Sequence, residues 1–180
     1  MSGVIEYYFT HLFDRYSSEL FYAIAAFVIL TVTIGIWKGI SSAKVMSLIG
    51  YFLFVLYITV FSRATNEHVK LKIIPFYSYT DIANGDRFLL PQVLMNIVMF
   101  IPIGFLLKAA FCNWGWKKVL FYGALLSLLI ELLQLVLMKG AAEVDDVIHN
   151  SFGCIIGYWI YKVYSYRFMF VQNNRGNQNI

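Results

Sequence analysis

Five stretches of this chain are long, apolar and almost free of charge, and nothing else constrains its fold as strongly. They cover about residues 20–37, 45–61, 90–111, 119–138 and 144–164. A bilayer's hydrocarbon core is crossed by about 20 consecutive apolar residues wound as a helix, because in lipid each backbone N–H and C=O must be satisfied within the segment. Composition agrees: 60% of residues are hydrophobic and 13% charged, against about 45–50% and ~25% in a soluble domain. The pattern predicts an all-α integral membrane protein, a bundle of about five transmembrane helices.

The segments between these runs define the organisation. Residues 1–18 mix aromatic and charged side chains and read as an interfacial arm. Residues 19–165 form the membrane domain, and 166–180 a polar, flexible tail. The first run lacks the charged start and small-residue cleavage site of a signal peptide, so it reads as retained. Only 62–89 is a long connection, beyond the usual length of a structureless loop. It contains "LKIIPFYSYTDI", apolar enough to lie on the interface or dip into it. Pro102 interrupts the third span with Gly104 close by, and predicts a kink, since proline cannot donate to the carbonyl of Val98. Cys112 and Cys154 sit in or beside apolar runs and read as packing residues, without a disulfide framework. The net charge of +4 is scattered between the runs, which argues against nucleic acid as a partner.

Charge also orients the bundle. With five spans, Lys38, Lys44, Lys108, Lys117, Lys118, Lys162, Arg167 and Arg175 lie on one side with no acid among them. Arg15, Arg63, Lys70, Lys72, Arg87 and Lys139 lie on the other, with every acid except the embedded Glu131. The excess of Lys and Arg in short loops marks the cytoplasmic side. The expectation is a bacterial plasma-membrane protein with its N-terminus outside, its C-terminus in the cytoplasm, and the 62–89 loop outside.

The last run, "VDDVIHNSFGCIIGYWIY", is unusually ordered. At about 100° per residue, Asp146, Asn150, Gly153 and Gly157 share one narrow stripe, while Ile148, Phe152, Ile155 and Trp159 lie elsewhere. A helix with its polar and small residues on one line presents that line to protein, not lipid. The topology adds a second regularity. Asn96, Glu131 with Gln134, and Asn150 come from three different spans and fall at one depth in the outer half of the bilayer. A carboxylate in that position costs about 2.5–3.5 kcal/mol on insertion scales. Glu131 must therefore be protonated, paired, or open to a wet cleft; Arg63, Lys139, Asn96 and Asn150 are its candidate partners. Simpler roles exist for several of these residues. Helix capping accounts for one of Asp145 and Asp146, and interhelical hydrogen bonding accounts equally well for the two asparagines. Close packing is the leading account of Gly153 and Gly157. His149 lies about 60° off the stripe and suits a structural role as well as a catalytic one.

Read together, "IIPF", "NIVMFIPIGFLL", "ELLQ" and "DDVIHNSFG" in that order resemble the VanZ family of bacterial membrane proteins, over about residues 45–160. The resemblance carries Pro75 and Phe76; Asn96, Pro102 and Gly104; Glu131 and Gln134; and Asp145, Asp146, Asn150 and Gly153. Family members often place Gly-Arg and an Asp ahead of the final acidic pair; this chain has Lys139–Gly140 and Glu143. The family implies a multi-pass plasma-membrane protein, some members of which confer low-level resistance to teicoplanin-type lipoglycopeptides.

Two functions fit these residues. One is recognition: a polar cleft of Arg63, Asn96, Glu131, Gln134, Asp145, Asp146 and Asn150, roofed by the long loop, binds a lipid-linked cell-wall precursor or a lipoglycopeptide. Phe76, Tyr77 and Tyr79 would then meet the amphiphile, and Arg63, Lys70, Lys72 and Arg87 its acidic groups. The other is a membrane-embedded hydrolase or transferase, with Glu131, Asp145, Asp146 and His149 as acid/base groups or as ligands of a divalent cation. Against catalysis, no nucleophile elbow, zinc spacing or phosphate loop is present. A transporter ranks third, since no repeated half is visible.

Overall fold

In the computed structural model, the residues described are 40–63, 65, 67–68, 70–85 and 89–176. The expected arm at 1–18, the first span at 20–37 and Arg87 lie outside them. The chain is mostly helical. Helix α1 (Ile40–Leu56) runs into a single π turn, Tyr57–Phe61. After strand β1 (Lys70–Lys72) come a short helix α2 (Tyr77–Ala83) and two long ones, α3 (Leu89–Ala110) and α4 (Trp116–Val136). Strand β2 (Ala141–Glu143) leads directly into α5 (Val144–Gly176).

Three of these helical stretches, Ser41–Phe61, α3 and α4, are long and apolar enough to cross a membrane. At 1.5 Å per residue, the 21 residues of α4 span about 31 Å, the thickness of a bilayer core. Large apolar side chains stand on the outer faces of all of them, among them Leu53, Val98, Phe121 and Val136. Apolar exposure on this scale exceeds what a soluble monomer carries.

Two particulars depart from the sequence reading. The all-helical expectation missed a two-stranded parallel sheet, in which Lys70, Leu71 and Lys72 pair with Ala141, Ala142 and Glu143. It ties the long connection to the turn between α4 and α5. The last helix also continues past 165, where the tail was expected to begin, and reaches Gly176.

The long helices lock together through absent side chains. A Cβ on Gly153 would strike the carbonyl of Ile97, and one on Gly157 the carbonyl of Ile101. Each step of four along α5 is matched by a step of four in the same direction along α3, so these two helices run parallel in close backbone contact. Cys154 fills the gap between Gly104 on α3 and Gly123 on α4. Beside it, Asn150 Nδ2 donates to Ser127 Oγ at 2.8 Å. Here four residues forward on α5 meet four backward on α4, an antiparallel pair whose register sets Glu131 level with Asp146. Phe100, Ile103, Val119, Ile130 and Tyr158 fill the core, with Val55 and Val60 from α1. Helix α3 runs through Pro102. Beside it, Tyr51 on α1 donates its hydroxyl to the carbonyl of Met99 at 3.1 Å, tying α1 to α3.

Candidate functional site

The polar residues gather where β1, α2, the end of α4 and the start of α5 meet. Each is placed by a local feature. Helix α4 ends at Leu137 in a Schellman arrangement: Lys139 N–H donates to the carbonyl of Gln134 and Met138 N–H to that of Leu135, with Met138 left-handed at φ 54°. Gly140 follows at φ 98°, and a Cβ there would lie 2.7 Å from the Arg63 guanidinium. Glycine is thus required twice over, by conformation and by the arginine above it. The turn then delivers Glu143, Asp145 and Asp146 to the base of the sheet, all buried.

Asp145 is fully buried and grips the long connection, accepting from the N–H of Phe76 on one oxygen and of Ser78 on the other, at 2.5 and 2.9 Å. Phe76 adopts φ 63° to present those amides, a conformation that costs a non-glycine residue about 1–2 kcal/mol. Asp145 is therefore a strap anchor as well as a first-turn helix acid. Glu143 makes the second clamp. It pairs with Lys72 at 3.1 Å, accepts from the Tyr77 hydroxyl, and receives Gln92 Nε2 at 3.4 Å. Burial pushes the Tyr77 hydroxyl up to about 12, reinforced by its bond to the Glu143 carboxylate. His149 Nε2 meets Tyr79 Oη at 3.0 Å, with the two rings edge to face.

Beneath this strap lie Glu131 and Asp146. Glu131 accepts the backbone N–H of Glu143 at 2.8 Å and is 5% exposed. It stands within electrostatic reach of Asp146 and Arg63, and Asp146 within reach of Arg63, Glu143 and Asp145. Two of the other partners expected for Glu131, Lys139 and Asn150, are engaged elsewhere. Lys139 Nζ donates to the carbonyl of Phe61 at 3.0 Å, closing the π turn. Asn150 goes to Ser127, and Gln134 Nε2 donates to the carbonyl of Thr59 at 2.9 Å.

Four buried polar atoms among the described residues have no partner: Asn96 Nδ2, Gln134 Oε1, His149 Nδ1 and Asn150 Oδ1. Each costs about 1–3 kcal/mol if left unpaired. They belong to α3, α4 and α5, and the last two of these also carry Glu131, Asp145 and Asp146. The π turn, which places Thr59 and leads to Arg63, has no sequence signal and was not foreseen. Neither was Ser127, one apolar-looking step from Leu126.

The chemistry open to this cluster is limited. Among the described residues, no three of His, Cys, Asp and Glu converge closely enough to hold a metal ion by themselves. The histidine faces a tyrosine, and the Cys154 thiol is sealed between two glycines, so neither forms a nucleophile–base pair. An apolar groove of about 500 Å³ runs along the far face of α5 past Phe152, Ile156 and Trp159, away from the polar cluster. What these residues form is a cluster of buried acceptors under a strapped loop at one end of the helix bundle.

No solved structure matches the chain significantly. Protein VanZ of Enterococcus faecium is 28% identical over 124 residues, which cover 69% of this chain and 72% of that protein. The VanZ/LLP1 family model matches residues 48–165, and the segment includes β1, β2, the strap and all four of the long-helix contacts with Cys154, Gly153 and Gly157. The chain belongs to the VanZ/LLP1 family.

Proposed function

We propose that this protein is a multi-pass plasma-membrane receptor for a lipid-linked headgroup of the cell envelope, or for the lipid-like part of a lipoglycopeptide, and that binding contributes to teicoplanin-type resistance. The observation that carries the reading is the buried pair Glu131 and Asp146 facing Arg63 beneath a loop held down by Asp145 and Glu143. Buried carboxylates at a membrane helix end are costly.

Membrane placement follows from the surface. The described spans are apolar outside, and at the end opposite the strap Phe111, Trp114 and Tyr122 stack at 4.1 and 4.5 Å, as aromatic residues do at a membrane interface. Helix α5 crosses with them in this reading, parallel to α3. The strap faces outward, the more basic end the cytoplasm, and 19–165 forms the membrane domain.

Two measurements test it. An impermeant thiol reagent added to intact cells should label a Thr80→Cys variant and spare the native, exposed Cys112; the reverse pattern puts the chamber in the cytoplasmic leaflet. In a susceptible host, Glu131→Gln and Asp146→Asn should each lower the inhibitory concentration of teicoplanin to that of the empty strain at unchanged protein level. Full resistance in both variants sinks the receptor reading.

A further inference from the structure

The charges of the chamber do not cancel, and their pattern selects a ligand. Among the described residues, Lys72 is taken by Glu143 and Tyr77, and Lys139 by the carbonyl of Phe61. Asp145 is saturated by two amides. That leaves Glu131 and Asp146, two buried carboxyl groups, with one guanidinium, Arg63, within electrostatic reach of both.

Gln134 gives an independent indication. It lies one turn along α4 from Glu131, on the same face, and is 2% exposed. Its nitrogen is held by the carbonyl of Thr59, which can only accept. The orphan atom must therefore be the oxygen, whichever way the amide is drawn. A hydrogen-bond acceptor buried without a donor, next to two buried carboxyl groups with one cation in reach, asks for a group that is cationic and carries N–H.

On the reading that this chamber binds a lipid headgroup, we infer that the group it takes between Glu131, Gln134 and Asp146 is the primary ammonium of an amine-bearing phospholipid. An ammonium offers three donors and one charge, matching two carboxylates and one amide oxygen, and charge-assisted bonds of this kind are the strong ones. A phosphate alone would set like charge against Glu131 and Asp146. In a zwitterionic headgroup the phosphodiester adjoins the ammonium and reaches the Arg63 side of the chamber. A trimethylated ammonium has the charge without donors, so it leaves Gln134 Oε1 unpaired.

The test is lipid retention by the full-length protein, released from nanodiscs into detergent and weighed by native mass spectrometry. The probes are equimolar phosphatidylethanolamine, phosphatidylcholine and phosphatidylglycerol. Phosphatidylethanolamine should be retained at least tenfold over both others. The preference should vanish in Glu131→Gln and in Asp146→Asn, and persist in Lys118→Gln, an exposed control at the other end of α4. The unaltered melting temperature of Glu131→Gln separates lost binding from lost fold. Equal retention of phosphatidylethanolamine and phosphatidylcholine overturns the ammonium assignment, as does a preference that survives both carboxylate substitutions. Displacement of the lipid by equimolar glycerophosphoethanolamine overturns the lipid as its source. Selective retention of phosphatidylglycerol that is lost in Arg63→Gln overturns the inference while leaving headgroup recognition standing; no preference for any lipid defeats both.

Discussion

Glu131 on α4 accepts the backbone N–H of Glu143 at 2.8 Å, so one buried carboxylate is bonded to the strand that carries another. The bond joins the interior of the helix bundle to the small sheet, and the sheet joins the turn before α5 to the long connection. Glu131 therefore has a structural role beside the ligand-binding role proposed for it, and substitutions can separate the two.

Glu131→Gln keeps an oxygen able to accept the Glu143 amide and removes only the ionisable group. Its thermal stability in detergent should stay within about 1 kcal/mol of wild type, with function lost. Glu131→Leu strands a buried N–H, which costs about 1–3 kcal/mol. Chemical denaturation of the two purified variants distinguishes them, and equal destabilisation would mean that the amide bond contributes nothing.

The contact between α3 and α5 is backbone to backbone, so it cannot yield to an added methyl. Gly153→Ala and Gly157→Ala place Cβ against the carbonyls of Ile97 and Ile101. Each should cost about 2–3 kcal/mol, the upper part of the range for overpacking. Gly115→Ala, with nothing within 4 Å of its added Cβ, should stay within about 1 kcal/mol. Melting curves that rank the three equally would show that the helices do not approach as closely as described.

Asp145 should act on the strap before it acts on any ligand. Asp145→Ala releases the N–H groups of Phe76 and Ser78 and removes the reason for the left-handed turn at Phe76. Amide hydrogen exchange across 76–80 should rise at least tenfold, about 1.4 kcal/mol of local opening, while α3 and α4 keep their protection. Unchanged exchange at Phe76 and Ser78 would leave the strap without its anchor.

How much of this was legible beforehand depends on the reach of each interaction. The stripe of Asp146, Asn150, Gly153 and Gly157 could be read because a helix repeats every 3.6 residues and the signal is carried by its own neighbours. The same rule put Glu131 and Gln134 on one face. The sheet could not be read: three residues in each strand are too few for an alternating pattern, and Leu71 and Ala142 are joined only by the fold. Capping explained the position of Asp145 but not its partners, which lie 67 and 69 residues away. The cations misled for the same reason. Lys72 looked free for an acidic ligand and Lys139 for Glu131, whereas Glu143 and the Phe61 carbonyl hold them. Position along one helix is written locally; the pairing of side chains between helices is not.

The clamp of Lys72, Tyr77 and Glu143 predicts a pH-dependent strap. Tyr77 is pushed from its usual 10.0 to about 12, by burial first and then by its bond to Glu143. Lys72 is also raised, since its bonds to Tyr77 and Glu143 outweigh the opposing effect of burial. Both shifts favour the protonated forms in the folded state, so their stabilisation is complete below about pH 10 and disappears as pH rises through the raised values. Limited proteolysis within 70–83 should therefore accelerate between about pH 10 and 12 in the wild type. Tyr77→Phe cannot donate to Glu143 and should be nicked faster already at pH 8, with a smaller further rise at alkaline pH. A strap whose cleavage rate is flat from pH 8 to 12 would show that this clamp does not hold it down.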